Sequence, residues 1–170
     1  VFYCHESTVF YSSFEVDGEQ PWFSPGFSFE VPGGTGPITG LASMDGVLVI
    51  FKRDAVYAVD GEGPPENGGT GTEFSEARRF NIKQGCTDPR SICQIPDGIA
   101  YRSERGLELL TRGYKNVWIG EKVQATVNLY PYTGGSTYDV ENSRLLVSLG
   151  NVLAADGGLN FLYPGVTLCC

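Results

Sequence analysis

Residues 37–59, PITGLASMDGVLVIFKRDAVYAV, align with residues 89–111, PRSICQIPDGIAYRSERGLELLT, without a gap at an offset of 52 residues. The alignment places the Asp-Gly pair at 45–46 on the Asp-Gly pair at 97–98. In both copies an apolar run follows, then a polar turn, then a second apolar run. Asp-Gly between apolar runs indicates a hairpin, because glycine adopts the positive φ that a type I′ turn requires. Each copy is therefore predicted to form strand, turn, strand, turn, strand.

Two weaker copies flank this pair. Residues 141–156, ENSRLLVSLGNVLAAD, form a third copy in which Asp156 falls on Asp60, with VQATV from Val123 as its predicted first strand. The N-terminal VFYCHESTVFYSS fits the same template with Val9 on Val56. Successive copies are spaced by 47, 52 and 44 residues. A β-propeller blade of four short strands typically has about 40 to 50 residues, so the spacing favours a propeller.

The predicted fold class is all-β, a β-propeller-like repeat of short antiparallel blades. The strands GVLVIF and RLLVSL are almost continuously apolar, as expected when both faces of a strand are covered. Such a unit is stabilised by stacking on its neighbours. Residues 1–170 are predicted to be a single all-β region of three to four blades and part of a larger propeller chain. The alternative is a β-sandwich, which does not predict the gapless repeat.

Composition limits the partners. The 170 residues carry a net charge of −8, and the 12 Lys and Arg are scattered, which argues against specific nucleic-acid recognition. No apolar run is long enough to cross a membrane, and the N-terminus lacks the pattern of a signal peptide. Because the chain begins with Val1 inside an apparent strand, we expect it to be a piece of a longer polypeptide.

No pattern in the sequence predicts a metal or cofactor site. The cysteines lack a CxxC pair or a histidine cluster, and buried free thiols are favoured over a Cys86–Cys93 disulfide; they are Cys4, Cys86, Cys93, Cys169 and Cys170. The Gly- and Pro-rich segment between the first two full copies, residues 59–80, is predicted to be a loop that contacts a partner. Its Asp60, Glu62 and Glu66 lack the alternation of a calcium loop.

We also predict no catalytic residues and no enzyme activity. The only histidine, His5, is expected in a surface turn, without a partner nucleophile. Two pairs of carboxylates, Glu104 with Glu108 and Asp139 with Glu141, resemble a glycosidase pair only in composition. Most aromatic residues are expected to pack in the core. The exception is Tyr130–Tyr138, YPYTGGSTY, which is predicted to be an exposed turn.

Three phrases together resemble the virion proteins of tailed bacteriophages. They are TVFYSSFEVDGEQPWF, GPITGLASMDGVLVIFKRDAVYAVDGEGP and GCTDPRSICQIPDGIAYRSERGLELL, followed by WIGEKV, and they cover residues 8–123. The chain is most similar to the β-propeller tail hub, nozzle or DNA-stabilisation proteins of short-tailed phages. Members of that family are usually several times longer.

The resemblance implies a structural protein of the phage tail, assembled in the host cytoplasm and carried in the virion. Its partners would be copies of itself in a ring and other tail or portal-adjacent proteins, and the ring would help to retain packaged DNA and give it a path out. The alternative is a carbohydrate- or receptor-binding propeller, in which Trp22 and Tyr132 stack on a host glycan. A glycan-degrading enzyme on the same scaffold is the weakest reading.

Overall fold

A computed structural model of the chain describes residues 1–13, 18, 20–61, 63, 74–150 and 167–169. It confirms the predicted all-β class. Its strands form four small antiparallel sheets, which match the four predicted copies in number and order. Within the described residues the sheets do not close into a barrel or a complete propeller.

The chain divides into two compact units, Val1–Lys83 and Gln84–Cys170, and each unit contains two sheets. In the first unit, sheet 1 is a three-stranded meander, β1 (Phe2–His5), β2 (Thr8–Ser12) and β3 (Phe23–Glu30). Sheet 2 is a four-stranded meander, β4 (Ile38–Met44), β5 (Val47–Lys52), β6 (Val56–Val59) and β7 (Arg78–Arg79).

The second unit repeats the pattern. Sheet 3 is a four-stranded meander, β8 (Cys93–Ile95), β9 (Gly98–Arg102), β10 (Leu107–Thr111) and β11 (Asn116–Trp118). Sheet 4 has three strands, β12 (Tyr132–Asp139), β13 (Arg144–Gly150) and β14 (Thr167–Cys169). A 3₁₀ turn, Pro89–Ser91, precedes β8. A second 3₁₀ turn, Glu121–Val123, leads into the helix α1, Gln124–Leu129.

Each unit has its own hydrophobic core. In the first unit the core contains residues of sheets 1 and 2 together with the segment between them: Val9, Val31, Ile38, Ile50, Ala55, Tyr57 and Val59. In the second unit it contains residues of sheets 3 and 4 and of α1: Cys93, Ala100, Leu107, Val127, Leu145, Val147 and Leu149. The two strands predicted to be covered on both faces differ. In β5, which contains most of GVLVIF, residues 49–52 are all buried, as predicted. In β13, RLLVSL alternates, with Ser148 exposed, so the prediction is wrong for that strand.

Two elements differ from their predictions. The segment VQATV from Val123 was expected to be a strand, but residues 124–129 form α1. The strand prediction is wrong because a short apolar run is ambiguous, and tertiary contacts decide it. The Arg102 guanidinium donates to the carbonyls of Val127 (2.8 Å) and Tyr130 (2.9 Å), which satisfies acceptors that the end of a helix leaves open.

Residues Tyr130–Tyr138 were expected to be an exposed turn, and that prediction is also wrong. Most of them belong to β12, which pairs with β13 along its whole length. The glycines that suggest a turn lie at a register shift between Thr133 and Gly135, where glycine accommodates a bulge within a strand. Tyr132 is consequently half-buried and is not presented in a loop.

The predicted loop at residues 59–80 is described only in part. Glu62 and Glu66 lie outside the described residues, as do Val152 and Asp156 of the third copy. Gly61 forms a bridge with Phe74, and Arg78–Arg79 form the edge strand of sheet 2.

None of the helices in the described part of the chain is long and apolar enough to cross a membrane.

Candidate functional site: an aromatic surface and a groove

Sheet 1 separates its aromatic side chains between two faces. Tyr3 lies opposite Phe10, and Ser12 lies opposite Phe23. Side chains at opposed positions of an antiparallel pair share a face, so Tyr3, Phe10 and Phe23 lie on the same side. The rings of Tyr3 and Phe10 stack with centroids 4.7 Å apart, and Phe23 meets Tyr3 edge-on at 5.1 Å. The three rings therefore form one cluster.

The opposite face of sheet 1 belongs to the core. Tyr11 is 1% exposed and Phe27 is 8% exposed, and their rings stack at 5.4 Å. Phe74 packs edge-on against Tyr11 at 4.8 Å. These aromatic side chains pack in or against the interior of the first unit, as expected for strand positions. The face that carries Tyr3, Phe10 and Phe23 does not contribute to this core.

Four aromatic side chains of sheet 1 and its flank are exposed, two on each face. Tyr3 (45%) and Phe23 (43%) lie on the first face. Phe2 (38%), opposite Tyr11, and Trp22 (54%) lie at the rim of the core face. At roughly 200 Å² for each whole side chain, each pair presents roughly 180 Å² of aromatic surface.

Two hydrogen bonds to Ser13 hold Trp22 at the flank of sheet 1. The Ser13 amide donates to the Trp22 carbonyl at 2.8 Å, and the Trp22 amide donates to Ser13 Oγ at 3.1 Å. The indole also packs on Phe27 at a centroid distance of 5.1 Å. Trp22, which the sequence singled out as a surface aromatic, is therefore exposed and held in place.

The second unit contains an open groove of about 670 Å³. Its floor is the edge of the hydrophobic core, since Ile95, Ile119, Val123 and Tyr138 pack against that core. Its polar residues come mainly from the turns around it. The full lining is Ile95, Pro96, Asp97, Leu109, Trp118, Ile119, Glu121, Lys122, Val123, Tyr138, Ser143 and Leu145. The volume falls within the range of sites for small molecules or single inserted side chains.

Exposed valines flank the groove. Val117 (45% exposed) lies opposite the lining residue Leu109 in the β10–β11 pair. Val140 (77% exposed) lies in the turn between β12 and β13, and Ser143 of the same turn lines the groove. The apolar surface therefore extends beyond the groove on both sides. No sequence pattern predicted this groove, because its lining comes from segments distant in sequence.

Each of the two carboxylate pairs considered from the sequence contains one residue with a structural role, Glu108 in the first pair and Asp139 in the second. Glu108 is fully buried, with Asn116 Nδ2 3.1 Å from Oε2 and Ser103 Oγ 3.4 Å from Oε1. Burial raises the pKa of Glu108, and the neighbouring Arg105, at 3.9 Å, partly opposes that rise. Glu104, its proposed pair, is exposed. Because Glu108 is closed off from solvent and Glu104 is exposed, the two carboxyl groups cannot contact one substrate together.

In the second carboxylate pair, Asp139 caps a turn. Asp139 Oδ1 accepts from the amides of Glu141 (3.1 Å) and Asn142 (3.2 Å), and Oδ2 accepts from Asn142 Nδ2 at 2.7 Å. These hydrogen bonds lower the pKa of Asp139, because they stabilise the charged form. His5 ends β1 opposite Thr8 and is exposed, and the turn itself is Glu6-Ser7.

The thiols of Cys4, Cys86 and Cys93 are free, as the sequence favoured. Burial raises the pKa of Cys86 to about 11, which suppresses thiolate chemistry near neutral pH. Asp60 is exposed, and the described part of the chain contains no group of three or more side chains placed to hold a metal ion.

Among the described residues, the exposed aromatic side chains of sheet 1 and the groove of the second unit are thus the candidate surfaces for binding a partner. Comparison with protein-family profiles and with curated proteins gives no match for this sequence.

Proposed function

We propose that the chain is a structural component of a bacteriophage tail, part of a hub or nozzle that assembles with copies of itself into a ring. The observation that carries this proposal is the repetition of small meander sheets along the chain. Sheets of this kind are stabilised by stacking on others, and propellers typically have 4 to 8 blades. Four sheets with exposed aromatic surface suit a part of a larger assembly.

The described chemistry favours a structural role over catalysis. Of the candidate carboxylates, Glu108 is buried and Asp139 caps a turn, and the buried Cys86 thiol has a raised pKa. A net charge of −8 suits a passage whose wall does not retain DNA, because like charges repel the phosphate backbone. Other tail or portal-adjacent proteins would complete the assembly, which would form in the host cytoplasm and leave it within the virion.

Analysis of purified phage particles tests this proposal. Peptides of the chain are expected in particles that withstand high-salt washing, at a fixed multiple of the portal copy number. Cryo-electron microscopy of the same particles should place the four small sheets in the tail. A chain found in the lysate and missing from the purified particles would refute the tail assignment.

A carbohydrate- or receptor-binding module is the second candidate, and the exposure of Trp22 favours it. An exposed indole can stack on the apolar face of a sugar ring. Tyr132, the other residue suggested by the sequence, is half-buried in β12 and is a weaker choice. On a glycan array, this function predicts binding that Trp22→Ala abolishes and Tyr132→Ala retains. Absence of binding by the assembled wild-type protein would exclude it.

A further inference from the structure

Each unit packs one face of a sheet against one face of the next sheet along the chain. In the first unit, Cys4, Val9 and Phe29 of sheet 1 share a core with Ile50 and Tyr57 of sheet 2. For every sheet we call the face equivalent to that of Cys4 and Val9 the down-chain face. The opposite face, which carries Ile50 and Tyr57 in sheet 2, is the up-chain face.

The second unit repeats this packing with the same faces. Cys93 and Ala100 of sheet 3 share a core with Leu145 of sheet 4. Cys93 lies opposite Ala100 between the first two strands of sheet 3, just as Cys4 lies opposite Val9 in sheet 1. In both units, therefore, the down-chain face of one sheet covers the up-chain face of the next.

Sheet 1 differs from the other sheets in its up-chain face. In sheets 2, 3 and 4 this face is buried, at Tyr57, Tyr101 and Leu145 respectively. In sheet 1 it carries the cluster of Tyr3, Phe10 and Phe23, in which Tyr3 is 45% exposed, against 1% for Tyr57 and for Tyr101. Sheets of this kind are stabilised by stacking on neighbours, so the exposed rings indicate a further neighbour for sheet 1.

Sheet 4 differs from the other sheets in its down-chain face. In sheets 1, 2 and 3 this face is buried, at Val9, Val49 and Ala100 respectively. In sheet 4, Leu146 is half-buried, and Thr137 and Ser148 are exposed. Among the described residues, one up-chain face and one down-chain face are thus uncovered.

We propose that the up-chain face of sheet 1 in one copy packs against the down-chain face of sheet 4 in a second copy. The inference rests on the proposed self-assembly, and it names the two surfaces that form the contact. It continues between copies the packing that each unit already contains, a down-chain face on an up-chain face. The contact removes the exposed rings of Tyr3 and Phe23 from water, which is the main favourable term in association.

The side chains at the centres of the two faces are compatible. Tyr3 and Phe23 project large rings, whereas Thr137 and Ser148 are small and leave room for them. The Tyr3 hydroxyl and the hydroxyls of Thr137 and Ser148 each donate and accept hydrogen bonds, so polar groups can pair as the rings are buried.

Ionisable side chains lie at the turn end of each face. On sheet 1, His5 and Glu30 both lie beside Thr8, next to the turn between β1 and β2. On sheet 4, Asp139 lies opposite Arg144, next to the turn between β12 and β13. The centre of the contact therefore buries no charge.

The symmetry of this contact suits a ring. The two faces are different surfaces, so the contact is head-to-tail and leaves one face of each kind free at the ends of a pair. Contacts of this type continue until a ring closes.

The test uses one variant on each face. The sheet 1 variant is Tyr3→Ser with Phe23→Ser, and its control is Trp22→Ser, which removes an exposed ring from the rim of the opposite face. The sheet 4 variant is Ser148→Lys, and its control is Ala125→Lys, which adds the same charge at an exposed position of α1. Circular dichroism checks that each variant is folded.

Sedimentation velocity is then measured for each protein alone and for mixtures. We expect wild type and both controls to assemble, and each face variant to associate about tenfold more weakly or worse, because an anchor is lost or a charge is buried without a partner. A 1:1 mixture of the two face variants should form a heterodimer that grows no further, because only one intact sheet 1 face meets one intact sheet 4 face.

The other outcomes overturn the inference in distinguishable ways. If Ser148→Lys assembles as well as wild type, or if the mixture forms no heterodimer, this contact is wrong while self-assembly stands. If Trp22→Ser weakens assembly as much as the sheet 1 variant, the up-chain face is not the specific surface. If wild type stays monomeric at every concentration, self-assembly itself is refuted, and the analysis of phage particles decides the tail assignment separately.

Discussion

Sheets 2 and 3 are the same four-stranded meander built with different turns. In sheet 2, Met44 lies opposite Val47, so Asp45 and Gly46 form the turn, both with positive φ (54° and 80°). In sheet 3, Ile95 lies opposite Gly98, so the turn is Pro96-Asp97. Proline fixes φ near −65°, which excludes a type I′ turn there. The second Asp-Gly is therefore not a copy of the first.

This difference in the position of the turn changes which residues of sheets 2 and 3 are structurally equivalent. Strand pairing aligns the two sheets at an offset of 51 residues, one less than the gapless sequence match. A shift of one residue moves every side chain of a strand to the other face. By pairing, Glu108 corresponds to Tyr57, and both are buried. The two sheets therefore share one backbone arrangement, but side chains of different types occupy equivalent positions on their faces.

The largest expected effect comes from the two glycines. A Cβ on Gly98 (φ 150°) would collide with the Leu110 carbonyl oxygen, whereas a Cβ on Gly46 (φ 80°) meets nothing within 4 Å. We expect Gly98→Ala to lower the free energy of unfolding by about 3 to 4 kcal/mol. Gly46→Ala should lower it by about 1 to 2 kcal/mol, from backbone strain alone. Urea unfolding measures both, and equal losses would contradict the difference in register.

Two buried cations give the next effect. Lys52 Nζ donates to the carbonyls of Val31 (2.8 Å) and Gly33 (2.6 Å), and Arg102 holds the end of α1 in the second unit. Lys52→Met and Arg102→Met should each cost about 2 kcal/mol, because buried carbonyls lose their donors. The exposed Lys83→Met is the control, with a change below about 0.5 kcal/mol.

Hydrogen exchange tests whether Lys52 and Arg102 each act only within their own unit. Lys52→Met should increase exchange near residues 31–36 and leave the helix unchanged, while Arg102→Met should do the reverse. Increased exchange throughout both units after either substitution would show that the cations do not act locally.

A smaller effect, of up to about 1 kcal/mol, is expected at Glu108. Its pKa is raised in the folded protein, so folding favours the protonated form. That contribution is fully present below the pKa of the unfolded chain, about 4.3, and is lost as pH rises through the folded value. Glu108→Gln should therefore stabilise the protein at pH 7 and make little difference near pH 4.

The control for this pH dependence is Glu76→Gln, since Glu76 is exposed in the first unit. Unfolding free energies at pH 4 and pH 7 decide the matter. A glutamine variant that is less stable than wild type at pH 7 would show that the bonds to Asn116 and Ser103 outweigh burial of the charge.

The smallest effect concerns thiol reactivity. Cys86 is buried with a pKa near 11, and Cys4 is only half-buried. Alkylation of the native protein at pH 8, read by peptide mass spectrometry, should modify Cys4 well before Cys86. Faster modification of Cys86 would mean that the start of the second unit opens readily.

The sequence predicted the positions of the strands better than the register of sheet 3 or the helix α1. Apolar runs bounded by turns locate β5, β6, β9 and β10, because covered strands need apolar residues on both faces. The register of sheet 3 was not predictable from the dipeptide, since Gly98 is required by a close approach to Leu110 and not by a turn. The helix α1 depends on Arg102, which is distant in sequence.

The candidate surfaces were only partly predictable. Trp22 was recognised as an exposed aromatic, but Tyr3 and Phe23 were not, because a strand places alternate residues on opposite faces and the sequence does not say which face is covered. The groove requires the spatial arrangement of sheets 3 and 4 within the second unit. Its mixture of apolar and charged residues follows no sequence pattern.

The native mass of the purified chain, measured over a range of concentrations, tests the central claim most directly. Self-assembly into a ring predicts a single species at a fixed multiple of 18.4 kDa that persists on dilution. A compact monomer of 18.4 kDa at every concentration would contradict it.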